Sequence, residues 1–172
     1  LVRILKRMQK RISKIDSIQI DRWLSEGFSI IDIGILLGFK PLGSDLTELI
    51  SHASKYIQSG AEVYISTPRI KNGIIDDNQY IQILQSIYKL VPSSKLIITT
   101  RESIDFINKV IQYVSVISPG SSDICPYNRG EYLSNSKTTS QFVIDEKRLR
   151  PFDVISKINF QVNPKLIFFL LF

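Results

Sequence analysis

Cysteine, histidine, tryptophan and methionine each occur once in this 172-residue chain. Cys125 alone forms no intrachain disulfide and holds no multi-cysteine zinc or iron–sulfur site. His52 alone excludes paired-histidine metal chemistry. Long apolar runs are missing too. The longest, Leu166–Phe172, falls far short of the about 20 residues a membrane-spanning helix needs. The chain is 44% hydrophobic and 22% charged, which suits one domain with a sizeable core and excludes a disordered tail.

The positive charge is local. Lys+Arg 22 against Asp+Glu 16 leaves +6. Arg3, Lys6, Arg7, Lys10, Arg11 and Lys14 match that excess, and no acidic residue lies among them. Leu1, Ile4, Leu5, Met8, Ile12 and Ile15 recur at helical spacing on the opposite face. A nucleic-acid patch, a membrane-surface helix and a transit peptide are the sharper readings of this pattern. A packed outer helix with solvated charges is the plainer one and the one expected here. No aromatic residue interleaves with the cations, so single-stranded nucleic acid has no stacking platform. Neither nucleic acid nor membrane is the expected partner. The lone cysteine and lack of a secretory signal point to the cytoplasm.

Further along, the pattern alternates. Asp16–Glu26 reads as a helix stopped by Gly27. Ser29–Leu37 is a β-branched run that reads as a strand buried on both faces. Pro41 and two glycines mark the turn from Gly38 to Gly43, and a helix over Asp45–Gln58 follows. Glu62–Ser66, Lys95–Thr99 and Tyr113–Ile117 are further strands, separated by helices over Asn78–Leu90 and Arg101–Val110. Asp123–Ser140 reads as loop, and Arg150–Ile158 as a last helix opened by Pro151. Four strands alternating with helices imply an α/β fold with right-handed crossovers and a mostly parallel sheet.

Such sheets bind ligands beyond the carboxyl ends of their strands. Two of the four strand ends carry an arginine, Arg69 and Arg101. A guanidinium grips a carboxylate or phosphate with two parallel bonds and stays charged at any working pH. The pattern suggests a small anionic ligand; the competing reading is that Arg69 and Arg101 pair with Glu102 or helix carboxylates. Glu102 is expected to favour the positive end of its helix. His52 lies within a helix on a packed face and reads as structural.

Five segments in this order resemble one known family: Ile31–Phe39, Leu49–Ala53, Ile65–Ile70, Thr99–Ser103 and Ile117–Ser121. They are similar to the aromatic amino-acid lyases of the radical S-adenosylmethionine (SAM) superfamily. The likeness is greatest to the thiamine-pathway 2-iminoacetate synthase and the hydrogenase-maturation tyrosine lyase. The Pro68-Arg69 pair, the Thr100–Ser103 run and Ser118 with Gly120-Ser121 are its most specific parts.

The resemblance implies the C-terminal half of a radical SAM (β/α) barrel over residues 1–158, including the biotin and thiamin synthesis-associated region, with 159–172 an unassigned apolar tail. It implies cleavage of the tyrosine Cα–Cβ bond to dehydroglycine and p-cresol, using SAM and a 4Fe–4S cluster. Gly34, Leu36 and Gly38 resemble a SAM-binding strand motif, and Ser66 and Arg69 are assigned near the cofactor. Arg101 and Ser118 match positions that hold the substrate carboxylate. No catalytic residue is identified. The family's CxxxCxxC cluster loop has no counterpart here, so the metal ligands are not expected in this chain and the chain alone is expected to be inactive. The family's hydrogenase-maturation member carries extra cysteines in its C-terminal region, and their absence favours the thiamine-type branch. An N-terminal half or a partner subunit is the implied complement, and a non-catalytic ligand-binding remnant is the alternative. A half-barrel leaves two raw sheet edges, so the isolated chain is expected to be poorly stable or oligomeric.

Overall fold

The computed structural model describes residues 21–22, 24–27, 29–38, 42–70, 75–118, 151–159 and 167–168. The basic segment Leu1–Ile15, the loop Asp123–Ser140 and Cys125 lie outside them.

Five strands form one parallel sheet: β1 (Ile30–Gly34), β2 (Glu62–Ser66), β3 (Lys95–Thr99), β4 (Val116–Ser118) and β5 (Ile167–Phe168). Between the first four lie α1 (Leu42–Gln58), α2 (Asp77–Leu90) and α3 (Ile104–Val110), and α3 continues into a 3-10 turn over Ile111–Tyr113. A fourth helix, α4 (Pro151–Lys157), precedes β5.

Strand order follows chain order from β1 to β5, without reversal. Parallel strands added on the same side each time, through crossovers of the usual right hand, place every connecting helix on one face. A doubly wound sheet reverses direction and is covered on both faces. This arrangement is therefore part of an α/β barrel, with helices outside and a concave face inside.

Side-chain alternation confirms the two faces. Ile31, Val63, Ile65, Leu96, Ile98 and Ile117 join the apolar core that Ala53, Tyr56, Leu84, Ile87, Phe106 and Val154 complete from the helices. The intervening residues Asp32, Tyr64, Ser66, Lys95, Thr99 and Ser118 occupy the concave face. Register runs Gly34 beside Ser66, Ser66 beside Ile97, and Thr99 beside Ser118, so the carboxyl ends of four strands form one rim.

Local chemistry sets the boundaries. Asp76 starts α2 with a capping box: its side chain accepts from the Gln79 N–H at 2.8 Å, while Gln79 Oε1 accepts from the Asp76 N–H at 3.1 Å. Ser103 caps α3 by accepting from the Phe106 N–H at 3.1 Å.

Several sequence expectations need correction: β1 ends at Gly34 rather than Leu37, and α3 begins at Ile104 rather than Arg101. The chain from Tyr113 does not run straight into a strand; Tyr113 closes the 3-10 turn, and β4 starts at Val116. β1 is not buried on both faces: Ile30 is 61% exposed and Asp32 is open to solvent. β1 is the edge of the described sheet, and no described strand continues past it. The turn predicted up to Gly43 is shorter, since α1 already begins at Leu42.

Candidate functional site

Strand β2 runs on through Thr67-Pro68 to Arg69, which forms an isolated parallel bridge with Leu37 beyond the end of β1. The Leu37 N–H donates to the Pro68 carbonyl at 3.0 Å, and the Ile70 N–H donates to the Leu37 carbonyl at 3.1 Å. Gly34, Leu36, Gly38, Ser66 and Arg69 thus gather at one corner of the rim. Gly38 has φ +92°, a conformation that favours glycine, so the backbone turn itself accounts for that residue.

Arg69 is 8% exposed and heavily engaged. Its Nε donates to Glu102 Oε1 at 3.1 Å, and its Nη2 donates to Glu102 Oε2, a side-on two-point pair. Nη1 donates to Asp77 Oδ1 at 2.8 Å. The guanidinium lies 5.0 Å from the Tyr80 ring centre and 5.1 Å from that of Phe106, and these two rings are themselves stacked. For Arg69 the ion-pair reading is therefore realised. Burial opposes its charge, but Glu102 and Asp77 outweigh that and raise its pKa. Glu102 is 6% exposed; burial raises its carboxyl pKa and Arg69 works against the rise. Its side chain crosses to Arg69, and the cap of α3 falls to Ser103 instead.

Arg101 and Ser118 are each 7% exposed. They sit at the adjoining tips of β3 and β4, where the Thr100 N–H donates to the Ser118 carbonyl at 3.1 Å. Arg101, Arg69 and Glu102 line one cleft with Thr67, Tyr80 and Thr99. Its interior space is about 10 Å³, room for about one water-sized group. The Tyr80 hydroxyl donates to the Thr67 carbonyl at 2.6 Å and lies 2.9 Å from Thr67 Oγ1. Burial, with Glu102 nearby, pushes that phenol well above its ordinary pKa.

Tyr80 escaped the sequence reading, and Thr67 and Thr99 were given no site role by it. Both threonines lie at strand ends, where ligand-facing residues are expected. Tyr80 instead reaches the rim from within α2. Asp32 was also missed: although open to water, it stands within the bowl of the sheet. The surrounding protein raises its carboxyl pKa, while a hydrogen bond with Ser66 opposes the rise. His52 is half-buried in α1, with its ring centre 6.4 Å from that of Tyr56.

The rim defines the class: the carboxyl-end mouth of part of an α/β barrel, lined by the buried side chains of Arg69, Arg101 and Glu102. Solved structures share this fold, two of them maturases. A crystal structure of HydG, a maturase of the FeFe-hydrogenase, matches with TM-score 0.53 and 26% identity over 60% of this chain and 26% of its own. The FeFe-hydrogenase maturase HydG from Carboxydothermus hydrogenoformans matches with TM-score 0.59 and 24% identity over 80% of this chain and 34% of its own. This chain thus spans about a quarter to a third of those proteins. No family model and no curated protein matches. The likeness supports the radical SAM superfamily at that level.

Radical SAM proteins generally use SAM and a 4Fe–4S cluster. One cysteine does not fit a cluster, and among the described residues no group of three His, Cys, Asp or Glu is placed to hold a metal. At the Gly34–Gly38 corner, the turn accounts for Gly38 and the ion pairs account for Arg69. No helix among the described residues is long and apolar enough to cross a membrane.

Proposed function

We propose that this chain forms the substrate-carboxylate end of a radical SAM tyrosine lyase barrel. The supporting observation is the burial of Arg101 and Ser118 on adjoining strand tips. Arg69 is paired with Glu102 and Asp77, and Arg101 brings a second guanidinium to the cleft, a donor group suited to a carboxylate. The cleft admits one carboxylate oxygen, and the rest of an aromatic amino acid extends over the concave face. Arg101 supplies a charged donor from within the cleft, and Ser118, on the adjoining strand tip beside the cleft's lining, supplies a hydroxyl donor. Fixing the carboxylate fixes Cα, so the contribution to catalysis is orientation.

Two branches fit this reading. One is the thiamine-type 2-iminoacetate synthase and the other the hydrogenase-maturation tyrosine lyase, and the two structural neighbours described above are hydrogenase maturases. The second reading is a ligand-binding remnant without chemistry. In both readings the carboxylate grip is the same. Calorimetric titration of L-tyrosine into the full chain tests it. Binding by the wild type and its loss in Arg101→Ala are expected; equal affinity in the two proteins contradicts the reading.

A further inference from the structure

We propose that Glu102 is a positioning residue, whose clasp on Arg69 pins the turn that presents Arg101 to the cleft. The inference rests on the carboxylate reading and adds what sets that grip's direction.

Arg69 is a fixed post. Its backbone is stitched to Leu37, its guanidinium lies against Tyr80 and Phe106, and Asp77 holds Nη1. Glu102 fastens to this post at two points from 33 residues away. The rest of the turn is tied as well. The Thr100 N–H reaches the Ser118 carbonyl at 3.1 Å, the Glu102 N–H reaches the Thr99 carbonyl at 3.2 Å, and Ser103 caps α3. Arg101 stands between neighbours tied in this way, within the cleft that Arg69 and Glu102 also line.

A purely stabilising role explains this poorly. A buried ion pair adds little net stability over a well-packed apolar pair, because desolvation offsets the attraction. What the two-point geometry adds is direction. A purely electrostatic role makes the opposite prediction: removing the Glu102 charge leaves the cleft more positive and tightens carboxylate binding.

The test compares the full chain's affinity for L-tyrosine with that for tyramine, which lacks the carboxylate. The ratio isolates the carboxylate grip from ring binding and from stability. Glu102→Gln keeps shape and leaves Asp77 to neutralise Arg69, and Arg69→Lys removes the two-point clasp while keeping charge. In both, the tyrosine-to-tyramine preference is expected to fall by roughly tenfold, the scale of one misaligned charged hydrogen bond. Ser94→Ala removes a hydrogen bond to the Val91 carbonyl before β3, away from the rim, and its preference is expected to stay at the wild-type value. A preference that rises or holds in Glu102→Gln and Arg69→Lys overturns the positioning role and leaves the carboxylate reading standing. A wild type without preference overturns the carboxylate reading, and the positioning role with it.

Discussion

Among the described residues, the sheet carries a cluster of ion pairs at each end, and they live in different media. At the amino end, Lys95 Nζ donates to Glu62 on the neighbouring strand, and the Tyr64 hydroxyl donates to Glu62 Oε1 at 2.8 Å. The Lys95 and Glu62 side chains are 36% and 39% exposed. At the carboxyl end, the Arg69 and Glu102 side chains are 9% and 5% exposed. Water screens the first pair and is nearly excluded from the second. The same charges can therefore be cheap to rearrange at one end and costly at the other. A binding site that depends on direction belongs at the dry end, where the candidate residues lie.

The strongest break of this contrast is Arg69→Met. It strands the Glu102 carboxylate in a dry site, and about 3–5 kcal/mol of stability is expected to be lost near neutral pH. The sign with pH follows from Glu102, whose folded pKa is already raised by burial and rises further without Arg69. Such a group favours the folded state most below its unfolded pKa and loses that contribution as pH rises through the folded value. Denaturant melts of Arg69→Met should therefore recover towards wild type as pH falls.

Tyr80→Phe comes next. It removes the donor to the Thr67 carbonyl, and a loss of about 1–3 kcal/mol is expected by the same measurement. Ser103→Ala should cost about 1 kcal/mol, the usual worth of a helix cap, seen as a modest drop in unfolding midpoint.

The smallest effect belongs to the amino end. Lys95→Met should leave the midpoint close to wild type at moderate salt. The Lys95 hydrogen bond lowers the Glu62 pKa, so its contribution is present above the unfolded value and lost as pH falls through the folded one. The gap between wild type and Lys95→Met should thus narrow in acid, while the gap for Arg69→Met narrows in acid for the opposite reason, recovery of the variant. A large neutral-pH loss in Lys95→Met would erase the distinction between the two ends.

The same contrast marks what was legible in the sequence. Glu62–Ser66 and Lys95–Thr99 were read to the residue because β-branched runs there are bounded by turn chemistry. The alternation also conveyed an α/β fold with a parallel sheet, and the rim positions followed from strand polarity. Tyr113 was misread because tertiary contacts override its strand propensity: its hydroxyl accepts from Gln85 Nε2 at 3.0 Å, and its ring meets Tyr88 edge-on. Glu102 was misread because its neighbour in sequence is a helix end, while its partner lies 33 residues away. The exposed face of β1 depends on what adjoins it, which no local pattern encodes. The Ile167–Phe168 pairing with β4 is likewise non-local, and an apolar run gave no register for it.

The central claim is that Arg101 and Ser118 together hold a carboxylate at the rim. A crystal structure of the chain with L-tyrosine bound tests it most directly. The account predicts the carboxylate within hydrogen-bond distance of the Arg101 guanidinium and the Ser118 hydroxyl. Tyrosine bound with its carboxylate away from both side chains would contradict it.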